Sequence, residues 1–457
     1  MRHSPAAVVA AFLLLVSPVS LARSATGDSN HVPMGVYLSW ERTAACARHF
    51  GIDRWDDACR RLDALEAHNV DTLWVANMSE DDLPRLIEEC ERRGISLLPA
   101  MSSVEARVDW RWNDDDSYYG KVIPHVVELA GKSDSVRGWV LSDEPQKEHL
   151  SRVEKLRKRF DKADPERFCT VVAQWPIAPT VPDETGLPVV CVDLYPFFGP
   201  DDPNGPHTDA SSKRFFRSNV RRLVQATSDT DAVPWVMGQC FSSIRGPRRY
   251  DDNWHLVGLP GSYLHWRCPT PAEIRWQVWE TLRAGGRGII IYTLAPEAPD
   301  PKTEDLPTPD IVKQNERIKP AAEPTDLGPN ALTNPDGSPT PQLEELGRLY
   351  AKIARHKDLI RRWKKTPDSP ITAEAPAKLQ CFTDPRTDNR YAVILNDNLT
   401  EKADLILAAE QAVKTIQEIT QGRIVWKSSG QSTEEHQAHI TLPAGGGAIL
   451  QVLDLEE

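Results

Sequence analysis

Short apolar runs recur along the chain with longer amphipathic stretches between them. The runs Met34–Trp40, Asp71–Asn77, Ile95–Ser102, Arg137–Ser142, Phe168–Gln174, Val189–Leu194, Val233–Cys240 and Arg287–Leu294 each have strand length. Most are apolar throughout rather than alternating, the pattern of parallel strands covered on both faces. The segments Trp55–His68, Asp81–Arg93, Leu150–Phe160, Lys213–Ala226, Ala272–Ala284 and Leu343–Trp363 place apolar residues at helical spacing among charges. Ser79 is the candidate N-cap of the second of these, and Gly94 and Gly285–Gly286 stand where helix C-caps belong. Eight strand–helix units in series predict an α/β fold of the (β/α)8 TIM-barrel type over residues 31–365. The competing doubly wound sheet lacks its glycine-rich phosphate loop after the first strand.

Two stretches break the rhythm. Phe241–Thr270 separates the seventh strand from its helix, and Ala295–Thr340 separates the eighth from its own. Both leave the carboxyl ends of strands, where barrel enzymes build their sites, and both are expected to wall a pocket. From residue 374 to 457 the pattern changes to short strands divided by turn signals: Lys378–Phe382, Tyr391–Asn396, Ala403–Leu407, Thr415–Ile419, Arg423–Lys427, His439–Leu442 and Ala448–Leu453. This predicts a small antiparallel β-sandwich with a packing role.

At the N-terminus, Arg2 and His3 precede the apolar run Ala6–Val16, and Ser20 and Ala22 fit a signal-peptidase site. Residues 1–22 are therefore expected to be a cleaved signal peptide, and the mature chain secreted or periplasmic. The run is too short to span a bilayer, and no other segment is a spanning candidate. Export permits disulfides among the eight cysteines. Cys46 with Cys59, or Cys240 with Cys268, would each staple a loop, and the sequence leaves the pairing open. A net charge of −12 argues against a partner bound through phosphates, so no nucleic acid is expected.

The chemistry gathers at strand ends. The fourth strand closes as Gly138-Trp139-Val140-Leu141-Ser142-Asp143-Glu144-Pro145. Glycoside hydrolysis needs a protonated carboxylic acid for the leaving oxygen and a second group to meet the positive anomeric carbon. Adjacent carboxylates suit this, since each negative charge raises the proton affinity of the other. The competing role for the pair is helix capping ahead of Pro145.

An apolar strand ending in Asp-Glu-Pro at the fourth barrel position resembles secreted bacterial glycoside hydrolases of the barrel superfamily. It is similar in particular to families 20 and 123, whose acidic pair works by substrate assistance. The resemblance implies Glu144 as acid/base and Asp143 as the residue that orients a 2-acetamido group serving as nucleophile. Retaining barrel hydrolases with two carboxylates end strand seven in a Glu, whereas this chain has Gln239 nearest that place. The missing group would then come from the substrate, from Asp193 on the sixth strand, or from Glu297 past the eighth. A catalytically silent carbohydrate-binding barrel or surface scaffold is the alternative function.

Trp40, Trp175, Tyr195 and Tyr292 lie at or near strand ends, where flat rings stack on sugar faces. Asn77 and Gln174 are polar strand-end residues suited to reading hydroxyls. Trp254, His255, Tyr263, His265 and Trp266 in the strand-seven loop form a candidate lid, and Glu105, Asp109 and Trp110 are further pocket candidates after strand three. No GxSxG elbow, HExxH, phosphate loop or metal-ligand spacing is present, so no cofactor or metal is implied and the expected partner is a carbohydrate.

Overall fold

The computed structural model describes residues 31–100, 116–200, 202, 205, 208–297, 325–326, 328–410, 413–428 and 437–454. The expected signal peptide, Glu105, Asp109, Trp110 and most of the loop after the eighth strand lie outside them. Eight parallel strands form one sheet: β1 (Met34–Ser39), β2 (Thr72–Ala76), β3 (Ser96–Pro99), β4 (Gly138–Asp143), β5 (Phe168–Gln174), β6 (Val189–Asp193), β7 (Val233–Gln239) and the eighth barrel strand, Gly288–Tyr292. The eighth pairs in register with both β7 and β1. Between β3 and β4 the sheet closes through parallel bridges at Leu97–Val136 and Ala100–Val140. There Leu97 N–H donates to Ser135 O at 2.7 Å and Arg137 N–H to Leu97 O at 3.0 Å. The chain is a TIM barrel followed by an antiparallel β-sandwich, as the sequence pattern predicts.

Alternation along each strand divides the apolar side chains into two sets. Tyr37, Trp74, Leu98, Val140, Phe168, Val172, Cys191, Trp235, Met237 and Ile290 fill the barrel interior. Val36, Leu73, Val75, Leu97, Leu141, Val190, Val192 and Ile291 face the surrounding helices. The interior aromatics need bare backbone opposite them. A Cβ on Gly138 would stand 2.6 Å from the Phe168 ring, so a side chain there would unseat that ring.

The helices depart from the pattern in two places. β1 stops at Ser39, and a helix, Trp40–Phe50, begins at once, ending at Gly51 with φ +63°. Between β5 and β6 the covering helix is only Val181–Thr185. Among the described residues, no helix is long and apolar enough to cross a membrane.

The C-terminal sandwich has a six-stranded and a three-stranded sheet. The first opens with Lys364–Lys365, which the sequence pattern had placed in the barrel. Ile394, Leu405, Leu407, Ile440 and Leu450 fill its interior. Tyr391, Val393, Leu395 and Ile449, on the opposite face of the large sheet, join the barrel's own core with Trp276 and Trp279 of the helix Pro271–Ala284. Polar contacts reinforce the seam. The Asp397 carboxylate accepts from Trp276 Nε1 and Arg217 Nη2, both at 2.9 Å, and Ala444 O accepts from Arg275 Nε.

Candidate active site

The upper rim of the barrel follows from the parity that fills its interior. Gln174, Asp193 and Tyr292 each stand two residues beyond an inward residue, Val172, Cys191 and Ile290, and so form the next layer of the inner face. β4 reaches this layer differently. Val140 pairs with Thr170 and Asp143 with Val172, three steps against two, so the strand carries one extra residue. Such a bulge bends a strand and re-aims its side chains. Glu144 follows at once with φ +46°, a left-handed backbone that non-glycine residues rarely adopt, and its N–H donates to Val172 O at 2.9 Å. Backbone held this way persists where the surroundings enforce it. Asp143 and Glu144 are thereby turned into one cavity.

That cavity, of about 310 Å³, opens at the carboxyl end of the barrel. It is lined by Tyr37, Arg42, Asp143, Glu144, Val172, Asp193, Tyr195, Met237, Phe241, Ser242, Ser243, Trp266, Tyr292, Glu297 and Asn330. The central contact is between carboxyl groups: Asp193 hydrogen-bonds Glu144. Burial, the charge of Glu144, the hydrogen bond with it and the charge of Asp143 together push the Asp193 carboxyl well above the usual range. Asp193 therefore retains a proton where an ordinary aspartate has lost one. Its Oδ1 is buried without a hydrogen-bond partner among the described residues. Glu144 is half-buried, and its Oε2 accepts from Gln174 Nε2 at 2.8 Å.

Aromatic rings make the wall opposite. Tyr195, Phe241, Trp266 and Tyr292 meet with centroids 5.0–5.9 Å apart. Tyr37 adds a fifth ring, 4.8 Å from Tyr292. Burial raises the Tyr195 and Tyr37 hydroxyls well above their ordinary value, so both remain neutral donors. Arg42, from the helix after β1, donates to Tyr292 Oη at 3.1 Å and stands 3.9 Å from Glu297. Glu297 in turn accepts from Arg248 at 2.9 Å. Asn330 braces the rim through Ser242 and Tyr250. No cluster of His, Cys, Asp and Glu suited to a metal ion occurs among the described residues.

No protein-family model matches the chain, and no curated protein matches it. Solved structures do align with it. The α-amylase of Geobacillus thermoleovorans, complexed with acarbose, superposes with a TM-score of 0.50 at 11% identity, covering 94% of this chain and 100% of that one. An α-amylase from Anoxybacillus gives 0.49 at 11% identity over 94% and 99% of the two chains. A family 5 mannosidase from Rhizomucor miehei gives 0.42 at 11% over 72% and 95%. At such identities the likeness is one of fold.

Of the residues singled out in the sequence, Asp143, Glu144, Asp193, Tyr195, Tyr292 and Glu297 meet in the cavity, and Gln174 supports it through Glu144. Four others do not. Trp40 begins a helix instead of ending a strand; it is 2% exposed, packs on Trp55 and donates from Nε1 to Asp82 at 3.1 Å. It is a core residue. Gln239 is fully buried and spent on backbone: its amide accepts from Phe197 N–H and donates to Phe197 O and Arg267 O. It fastens the loops after β6 and β7 and has nothing left for a sugar. Asn77 hydrogen-bonds Ser39 Oγ outside the cavity lining. Trp175 is 42% exposed beside Phe215, also outside that lining.

Of the candidate lid, Trp266 alone lines the cavity. Trp254 packs on Phe50, and His265 pairs with Asp202. Sequence reading missed Tyr37, Arg42, Phe241 and Asn330. Phe241 and Asn330 had a signal, since they sit in or beside the two long loops, whereas Arg42 sits in a helix with no signature.

Proposed function

We propose that this protein is a glycoside hydrolase that cleaves O-glycosidic bonds of an oligo- or polysaccharide, with Glu144 as general acid/base. The observation that carries the reading is the hydrogen-bonded pair of Asp193 and Glu144 at the mouth of an aromatic-walled cavity. Breaking a glycosidic bond at neutral pH requires a proton on a carboxyl that would ordinarily have lost it. The pair retains one, and Glu144, its half-buried member, delivers it to the leaving oxygen. Asp143 stands exposed beside it to orient the sugar or stabilise positive charge.

Two carboxyls in hydrogen-bond contact have no room for an anomeric carbon between them, whereas paired-acid hydrolases keep roughly 5–9 Å. Asp193 is therefore the proton partner of Glu144. Glu297, half-exposed and paired with Arg248, is not the second acid either. Attack then comes from the substrate's own 2-acetamido group, oriented by Asp143, in the manner of the families the strand-four motif resembles. A signal peptide over residues 1–22 would deliver this enzyme to the periplasm or medium, where polysaccharides are met.

The test is hydrolysis of a panel of aryl glycosides by wild type and Glu144→Gln. Turnover by wild type that the variant loses supports the reading. Saccharide binding without turnover by either protein would replace it with the silent scaffold. Cleavage of N-acetylhexosaminides, with acetamido dependence altered in Asp143→Asn, supports substrate assistance; cleavage of neutral hexosides alone would remove it.

A further inference from the structure

We infer that Cys240 and Cys268 form a disulfide when the chain meets an oxidising thiol pool, and that this bond ties the wall of the cavity to the barrel. The two residues bracket the segment that supplies Phe241, Ser242, Ser243 and Trp266 to that wall. Cys240 stands directly after β7, where its N–H donates to Tyr292 O at 2.5 Å and its O accepts from Thr293 N–H. Cys268 is held in place from both sides: Arg267 O accepts from the Gln239 amide at 2.9 Å, and Pro269 O accepts from the Gln342 amide at 3.1 Å. The Gln239 hydrogen bond to Arg267 O joins the residues directly before the two cysteines, and the thiols of Cys240 and Cys268 act on each other. Each backbone is thus positioned by contacts that need no covalent bond, and a pair held facing loses little freedom when it closes.

The other six thiols are differently placed. Cys46 donates to Pro296 O, Cys381 contacts Ser369 Oγ, and Cys59 lies beside Glu89 and Arg93. Cys90, Cys169 and Cys191 are fully buried among charged groups and apolar neighbours, with no sulfur among the groups acting on them. Cys46 and Cys59, the other pair suggested by spacing, thus sit in separate surroundings.

The two members of the pair also differ in access, since Cys240 is sealed while Cys268 is half-exposed. That difference sets the order of events. The Cys268 thiolate attacks a small-molecule disulfide such as oxidised glutathione; the donor's S–S bond breaks, one thiol leaves, and a mixed disulfide remains on Cys268. Cys240, passing its proton to the small-molecule thiolate, then displaces the second thiol. Two cysteine thiols are oxidised by two electrons, and the donor disulfide is reduced to two thiols.

The experiment uses the full chain, reduced and then incubated with oxidised glutathione, unfolded in an alkylating reagent without reductant, and mapped by mass spectrometry. The expected result is six alkylated cysteines out of the eight present, with the peptides holding residues 240 and 268 joined and lighter by two hydrogen atoms. Oxidation should also raise the melting temperature of wild type by a few degrees and leave Cys268→Ser unmoved. Cys240→Ala provides the reciprocal control, its remaining Cys268 carrying only the small-molecule adduct. Eight alkylated cysteines after oxidation, a cross-link at other positions, or an equal thermal shift in Cys268→Ser would each overturn the inference. None of these readouts requires hydrolytic activity, so the outcome is independent of the function proposed above.

Discussion

The most discriminating perturbation is Asp193→Asn, because it separates what the buried proton does for stability from what it does for chemistry. Asp193 is nine-tenths buried, and its carboxyl is raised by that burial and by Glu144 and Asp143. The folded state therefore keeps a proton that the unfolded chain releases near pH 4. Above that pH the native state binds more protons than the unfolded one, so wild-type stability falls as pH rises, by about 1.4 kcal/mol per pH unit, until the native carboxyl also ionises. An unfolding entropy of about 2.1 cal/mol/K per residue, taken over 457 residues, makes this roughly 1–1.5 °C of melting temperature per pH unit. Asn has the same shape and no proton to lose. Wild type minus variant should drift downward by that amount per unit as pH rises above 4, levelling once the native carboxyl ionises, while the activity of the variant falls. The upper limb of its pH–rate profile, which belongs to the pair, should shift to lower pH. The assay is thermal unfolding across buffers of matched ionic strength, beside kcat/KM over the same range. Parallel melting curves from pH 4 to pH 8 would show that Asp193 holds no extra proton.

Glu144→Gln should lower kcat by about 10²–10⁴-fold with the melting temperature almost unmoved, as loss of a general acid requires. Trp40→Ala should cost about 3–5 kcal/mol in denaturant unfolding, since it empties a core site and removes one of the two donors to Asp82 Oδ2, whereas Trp175→Ala should stay within about 0.5 kcal/mol. Gln239→Leu leaves the Phe197 N–H without its partner, while Phe197 O keeps Arg267 N–H, and should destabilise by about 1–3 kcal/mol, read from the midpoint in urea. Trp266→Ala should raise KM more than it lowers kcat, since the ring belongs to the aromatic wall of the cavity with Tyr195 and Phe241; equal loss in both would place it in the transition state.

What could be read beforehand was whatever leaves a local trace. The eight strands showed because a parallel strand is covered on both faces, and Val189-Val190-Cys191-Val192 can hardly be anything else. For the same reason the inward set stayed hidden: when both faces are apolar, nothing in sequence separates Tyr37 from Val36. Trp40 was misplaced by one residue of strand length, because Ser39-Trp40-Glu41 serves equally as a strand end or a helix start. The acidic pair at Asp143–Glu144 was legible from its place in the order of strands. Its contact with Asp193 was not, for it depends on a bulge in β4 and a left-handed residue that only the pairing of β4 with β5 reveals. Gln239 drew attention by its position, and only its side-chain bonds to the backbone of Phe197, Phe241 and Arg267 show it to be a fastener.

The shared tryptophans at the seam between barrel and sandwich bear on how this chain can be cut. A carbohydrate-binding appendage joined by a tether can be deleted or transplanted at will, because each piece keeps its own interior. Here Trp276 and Trp279 would be stripped of cover if the last strands were removed, and the outer sheet face would be left bare in turn. Truncation at residue 365 should therefore yield insoluble material instead of a smaller enzyme. A chimaera built on this scaffold would have to carry the helix 271–284 together with the sheet it supports.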